Sequence, residues 1–133
     1  MSADQPAVSN HEFTPELDGW ITHTDLVSND PAATKRWCEA VFGWKFRPPF
    51  ASPHGEYHLF AYSNIGGGGI GAGTPPEQPG STPFVHVADA KAAYERALRE
   101  GAQSIAPPEH VMEGVTNALV RAPGGVRFGL SGP

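Results

Sequence analysis

Apolar and polar residues alternate in several short stretches of this chain, which is typical of β-strands with one covered face. The stretch at 20–27 places His23 and Asp25 on one face of a predicted strand, because successive side chains point to opposite sides. The remaining strands are predicted at 44–50, 56–62, 66–73, 83–88, a short segment after Gly101, 115–121 and 126–130. Proline pairs are expected to break the strands at 48–49 and 107–108.

Two stretches have helical spacing instead, and each has a start signal. Asn29 or Asp30 caps the first, Pro31 follows at its first position, and Gly43 ends it. Asp89 opens the second helix, which is predicted to run from 89 to 100. The buried stripes are predicted to be Ala33, Trp37, Ala40 and Val41 on the first helix and Ala93, Tyr94, Ala97 and Leu98 on the second.

The order strand, helix, three strands occurs twice along the chain. At an offset of about 60 residues Ala32-Ala33 falls on Ala92-Ala93 and Arg36 falls on Arg96. The pattern predicts an α+β fold of two βαβββ modules that form an open curved sheet, a partial barrel, around a cavity. We expect a flexible leader at 1–18 and a single domain at 19–133, with module one at 19–73, a linker at 74–82 and module two at 83–133.

Composition and charge narrow the possible partners. The net charge is −5 and the nine Lys and Arg residues are scattered, so no basic stripe predicts nucleic-acid binding. No apolar run is long enough for a membrane span, and the first eighteen residues contain no hydrophobic core of the kind that a signal sequence has. One cysteine allows neither an internal disulfide nor a multi-cysteine zinc site. We therefore expect a soluble cytoplasmic protein, small enough that forming a homodimer would add to its core.

Three polar residues on predicted strands are candidates for chemistry. His23 and Asp25 are two residues apart, about 6–7 Å along one strand face, where the carboxylate could orient the imidazole as a base. A hydrogen-bonded pair with a purely structural role is the alternative. His86 is in phase with Phe84 and could face the same cavity, so His23, His86 and a carboxylate such as Asp25 or Glu113 could hold Zn or Fe. An interior histidine held by hydrogen bonds is the alternative there.

The other unusual positions have structural interpretations. The glycine-rich run at 66–73 lacks both the following helix and the Lys-Ser or Lys-Thr pair of a phosphate loop, so a sharply bent strand is expected. Cys38 is interpreted as a packing residue, and His58 as a surface or dimer contact. Aromatic side chains, among them Phe60 and Phe84, could line a cavity for a planar apolar ligand.

The order and spacing of several short motifs resemble the vicinal-oxygen-chelate superfamily, which includes glyoxalase I, bleomycin-resistance proteins, fosfomycin-resistance enzymes and extradiol dioxygenases. The resemblance spans residues 20–131 and is closest to small, single-domain glyoxalase-like members. It rests on His23-Thr-Asp25, Val41-Phe-Gly-Trp-Lys-Phe46, Gly68-Gly-Ile70, Phe84-Val-His-Val-Ala-Asp89 and Pro123-Gly-Gly-Val-Arg-Phe-Gly-Leu130. It implies paired βαβββ modules, often completed by a second chain, and a divalent metal held by the first and last strands of each module.

Only one position that the resemblance assigns to a metal ligand carries a suitable side chain. His23 stands at the first-strand position, whereas the matching position of module two is Thr82. The last strands offer the glycine run and Gly129 instead of a carboxylate. We therefore expect no metal or other cofactor, and a protein that binds a small molecule through His23, Asp25, His86, Phe60 and Phe84. The alternatives are a metal-dependent lyase, isomerase or dioxygenase with a non-standard site at His23 and His86, and an assembly protein with a collapsed cavity.

Overall fold

The computed structural model describes residues 13–52, 55–62, 66–73 and 78–133, and these form an α+β fold with two helices and nine strands. The helices are α1 (Pro31–Phe42) and α2 (Ala90–Arg99). The strands are β1 (Ile21–Val27), β2 (Lys45–Phe46), β3 (Phe50–Ser52), β4 (Gly55–Ala61), β5 (Gly67–Gly71), β6 (Gly80–His86), β7 (Gln103–Met112), β8 (Val115–Arg121) and β9 (Arg127–Gly132). The predicted α+β repeat is confirmed.

The chain divides into two compact units, of which the first contains His23–Ser81. Within it β4 pairs antiparallel with β2, β3 and β5, and β5 pairs parallel with β1. Helix α1 begins where the Asp30 side chain accepts the backbone N–H of Ala33, and it ends at Gly43 in the left-handed conformation. The core of this unit is a cluster of buried residues, with partly buried neighbours, consisting of Cys38, Phe60, Ile70, Leu26, Trp44 and Phe46.

Helix α1 turns a different face to this core than its apolar pattern predicts. Cys38 is its buried residue, whereas Trp37 and Val41 are each 56% exposed. The stripe predicted to be buried is therefore wrong for Trp37, Ala40 and Val41, and the stripe predicted on α2 is wrong for Leu98, which is 37% exposed. Helix α1 carries apolar residues on more than one face, so small Cys38 can lie close to the sheet while the larger side chains stay outside. The prediction that Cys38 packs in the core is confirmed.

The second unit contains residues 13–22 together with Thr82–Pro133. Its strands lie in the order β6, β9, β8, β7, with β6 parallel to β9 and the other pairs antiparallel. Helix α2 packs on β7, β8 and β9, and Asp89 caps its start by accepting the backbone N–H of Ala92. Ala118 and Val120 are the buried residues of β8, so the alternate residues of β8 point to the other side of the sheet.

Two strands of the second unit differ from the sequence expectation. Strand β6 begins at Gly80 instead of 83. Strand β7 continues through Pro107 and Pro108, where a break was predicted. Its pairing with β8 shifts register between Ser104 and Ala106 and again before Glu109, and β7 ends the strand order of its unit. A bulged edge strand tolerates prolines because the missing N–H groups need no partner there. In the described part of the chain, neither helix is long and apolar enough to cross a membrane.

Candidate functional site

A hydrogen-bonded array joins His23, Asp25 and Tyr57 in the first unit. The Tyr57 hydroxyl donates to Oδ1 of Asp25 at 2.7 Å, and Nε2 of His23 lies 3.3 Å from the Tyr57 oxygen. Since the hydroxyl proton is used toward Asp25, Nε2 of His23 carries a proton and donates to the phenol oxygen. The structure thus confirms that His23 and Asp25 share a face, and it adds Tyr57 from β4 between them.

The electrostatics of this array keep the phenol protonated. Burial raises the pKa of Tyr57 far above its usual range, and the negative charge and hydrogen bond of Asp25 raise the pKa further. The hydroxyl is consequently a permanent donor to Asp25 at physiological pH. All three residues are half-buried.

The glycines of β5 are explained by the ring of Tyr57. A Cβ added at Gly69 would collide with the Tyr57 ring, and one added at Gly71 would approach it to 2.8 Å. A Cβ at Gly68 would collide with the backbone oxygen of Thr24 on the opposite face. The run forms a strand, as predicted, but its glycines provide room for close neighbours and all five residues of β5 are buried.

An aromatic ring covers the last strand of the second unit in a similar way. Phe84 of β6 pairs with Gly129 of β9, and a Cβ at Gly129 would collide with the Phe84 ring. The final strand therefore has no room for a side chain at the position where the superfamily resemblance implies a metal-binding carboxylate. Phe84 itself is half-buried on the face of β9 that carries Arg127 and Ser131.

His86 is held by the segment that precedes β1. The backbone N–H of Thr14 donates to Nε2 of His86 at 2.8 Å, and the Phe13 ring stacks on the imidazole with centroids 4.9 Å apart. Burial lowers the pKa of His86, and the nearby Asp18 opposes this only in part. The imidazole is therefore neutral and accepts at Nε2. A histidine held by hydrogen bonds was one of the two alternatives for His86. No feature of the sequence indicates that its partner is Thr14, in the segment before β1.

Two further predicted residues belong to the core and not to this array. Phe60 is 1% exposed and stacks on Trp44 with ring centroids 4.3 Å apart. It points to the opposite face of β4 from Tyr57, so it does not share a face with His23 and Asp25. His58 shares the Phe60 face and is 4% exposed, so its assignment to the surface is wrong. Both faces of β4 are covered, which an alternating pattern alone does not reveal.

The donors present do not fit the divalent metal of the superfamily. Among the residues that the structure describes, no three His, Cys, Asp or Glu side chains come together in a group that could hold an ion. Thr82 is buried, and the positions on β5 and β9 lie under Tyr57 and Phe84. Nε2 of both His23 and His86 is already hydrogen-bonded within the protein. Glu113, a candidate carboxylate, is exposed in the turn between β7 and β8.

Comparison with known proteins gives one family and several solved structures of similar fold. The family model described as Glyoxalase/Bleomycin resistance protein/Dioxygenase superfamily matches residues 20–130. No protein with a curated description matches significantly. A hypothetical protein from Bacillus halodurans is similar with a TM-score of 0.68 at 12% identity, over 84% of this chain and 91% of that one.

Methylmalonyl-CoA epimerases are also among the solved structures of similar fold. A single-residue variant of the Streptomyces coelicolor enzyme, in complex with 2-nitronate-propionyl-CoA, has a TM-score of 0.65 at 15% identity, over 86% of this chain and 96% of that one. An epimerase in complex with methylmalonyl-CoA and NH4+ has a TM-score of 0.66 at 15% identity, over 86% of this chain and 94% of that one. At these identities the likeness concerns the fold alone.

Proposed function

Because the chain belongs to the Glyoxalase/Bleomycin resistance protein/Dioxygenase superfamily, we propose that it binds a small organic molecule without a metal ion. The observation that carries this proposal is the same in both units. An aromatic ring lies over the glycines of the last strand, Tyr57 over Gly69 and Gly71 and Phe84 over Gly129. Aromatic surface thus stands where the superfamily resemblance implies metal ligands.

The array of His23, Tyr57 and Asp25 supplies the polar part of this binding. Two hydrogen bonds fix the geometry of the array before a ligand arrives. Half-buried polar groups beside an aromatic ring are the usual composition of a small-molecule site. Solved structures of similar fold hold CoA esters, which makes small organic ligands a reasonable class to test first.

Two further elements of the proposal concern the assembly and its location. We propose a homodimer, to which the exposed Trp37, Val41 and Phe42 of α1 could contribute apolar contact area. We also propose that the protein is cytoplasmic, where its single cysteine would stay reduced. Light scattering at several protein concentrations tests the first of these, and cell fractionation tests the second.

The experiment for the main proposal is a ligand screen by melting temperature, run in parallel with a chelator and with added divalent cations. We expect ligands of the wild-type protein to raise the melting temperature equally in both conditions, and Tyr57→Phe and Asp25→Asn to weaken that effect. Tyr94→Phe is the matched control, since Tyr94 donates to Ser104 on the exposed surface of the other unit. Ligands that act only with added metal would favour the metal-dependent enzyme and contradict the proposal.

A further inference from the structure

A short segment of the second unit lies at the end of β6, on the side of the sheet that carries the Phe84 ring. His86 is two residues beyond Phe84 on this strand, so both side chains point to the same side, about 6–7 Å apart. The Phe13 ring stacks on the His86 imidazole at an interplanar angle of 11°, and the backbone N–H of Thr14 donates to Nε2 of His86. Phe13 and Thr14 therefore cover part of the Phe84 face, which the proposed function uses for ligand binding.

Polar side chains continue the same face beyond His86. Ser131 of β9 pairs with His86, and Asn117 of β8 pairs with Ser131. Residues that pair across a sheet point to the same side, so these three form a polar row beside the Phe84 ring. A polar row next to an aromatic ring is the composition of a site that binds a small organic molecule.

The segment is built as a strap, defined here as residues 13–18, that joins the sheet at its C-terminal end. The backbone N–H of Gly19 donates to the backbone oxygen of His86 at 2.7 Å, and His86 donates its own N–H to the backbone oxygen of Trp20 at 2.8 Å. Gly19 has a φ of 85°, and a Cβ added there would meet nothing within 4 Å. This joint therefore combines the conformational freedom of glycine with open space beside it.

The strap itself is lightly held. None of its residues is buried, and the 3-10 turn at Pro15–Leu17 has no side-chain cap. A backbone hydrogen bond from Leu17 to Thr14, at 2.9 Å, lets the strap move as one piece. Its contacts with the His86 side chain are one stacked ring and one hydrogen bond. Segments with so little buried surface open locally at a low cost in free energy.

We propose that the strap is an internal competitor that closes over His86 and yields this position to a small organic ligand. The ligand class follows from the two contacts that are replaced. A planar ring takes the place of the Phe13 ring on the imidazole, and an uncharged N–H or O–H group replaces Thr14 as the donor to Nε2 of His86. This inference rests on the proposed function, and it adds the chemical class of the ligand and the segment that controls access.

Indole and N-methylindole are matched probes of this class, since they share one planar ring system and only indole carries an N–H donor. Indole added to isotope-labelled wild-type protein should abolish the scalar coupling between the Thr14 amide nitrogen and Nε2 of His86, which NMR detects across the hydrogen bond. A strap that is closed about 90% of the time weakens ligand binding about tenfold, so Phe13→Ala should bind indole about tenfold more tightly than the wild type. N-methylindole should bind both proteins about fivefold more weakly than indole.

Leu98→Ala is the matched control, because Leu98 is 37% exposed and lies on α2 of the same unit, away from the strap. It should bind indole as the wild type does. Phe13→Ala should lower the melting temperature by no more than about 4 °C, since Phe13 belongs to a lightly held segment. A larger loss would place Phe13 in the core and overturn the strap.

The other outcomes separate the strap from the proposed function. Indole binding that leaves the coupling between Thr14 and His86 intact would overturn the strap, while metal-free ligand binding stands. Equal affinity of the wild type and Phe13→Ala for indole, equal affinity for the two probes, or no indole binding by either protein at millimolar concentration would also overturn it. Stoichiometric metal would contradict the proposed function, and the coupling would still report whether indole opens the strap.

Discussion

Tyr57→Phe is the substitution that probes the central array most selectively. It removes one hydroxyl and keeps the ring that covers Gly69 and Gly71, so only the hydrogen bonds to Asp25 and His23 are lost. A hydrogen bond to a charged group contributes about 1.5–3 kcal/mol to stability and a neutral one about 1 kcal/mol. Water reaches the half-buried Asp25 and recovers part of this loss. We therefore expect the free energy of unfolding to fall by about 2 kcal/mol.

The expected change in melting temperature follows from the size of the chain. Unfolding entropies near 2.1 cal/mol/K per residue give about 0.28 kcal/mol/K for 133 residues. A loss of about 2 kcal/mol then corresponds to a melting temperature about 7 °C lower. Calorimetry measures this directly. Tyr94→Phe removes an equally short hydrogen bond, 2.7 Å to Ser104, from an exposed site and should cost less than about 0.5 kcal/mol. If Tyr57→Phe costs no more than this control, the array does not stabilise the fold as argued.

The same variant has a pH signature. The pKa of Tyr57 is raised in the folded protein by burial and by Asp25, whereas in the unfolded chain the phenol loses its proton near pH 10. The folded state therefore holds the proton more tightly, and the stabilisation is present below about pH 10 and falls as the pH rises further. Denaturation midpoints measured across this range should converge for the wild type and Tyr57→Phe at high pH. Parallel curves would mean that Tyr57 ionises normally.

Three other substitutions test separate parts of the structure. Gly69→Ala should destabilise the protein by about 1–3 kcal/mol because its Cβ meets the Tyr57 ring, and adding Tyr57→Leu should recover part of the loss; additive losses would contradict this contact. Burial lowers the pKa of His86, so the stability of the wild type should fall as the pH drops below about 6.5. Urea denaturation should show a smaller fall for His86→Gln. An unchanged pH profile in that variant would show that His86 is not held neutral. Trp37→Ala should lower the free energy of unfolding by less than about 1 kcal/mol, because Trp37 is 56% exposed. Trp44→Ala removes a ring stacked in the core and should lower it by about 3 kcal/mol. The reverse order would refute the orientation of α1.

The features that could be predicted from sequence are those with local causes. The cap at Asp30, Pro31 at the first position and Gly43 after the last fix both ends of α1 through short-range hydrogen bonds and backbone conformation. The alternation at 20–27 placed His23 and Asp25 on one face because strand geometry alone determines it. The same strand and helix signals recur in the second half of the chain, and this repeat predicts the α+β fold class.

The features that could not be predicted depend on what packs against an element. Trp37 and Cys38 are neighbours on α1, and only the position of the sheet decides that the smaller one is buried. His58 alternates like a residue on an open face, yet both faces of β4 are covered. The role of Tyr57 follows from the register of β4 on β5, which sets its ring over glycines more than ten residues away. A run of glycines opposite an aromatic strand is the signal that could have pointed to it.

Elemental analysis of protein purified without chelator, after expression with added zinc, iron, nickel and manganese, tests the central claim most directly. The account predicts metal well below one atom per chain, with no difference between the wild type and His23→Ala, because His23 donates to Tyr57 and the last strands carry aromatic rings over glycines. One tightly held metal per chain that disappears in His23→Ala would contradict it.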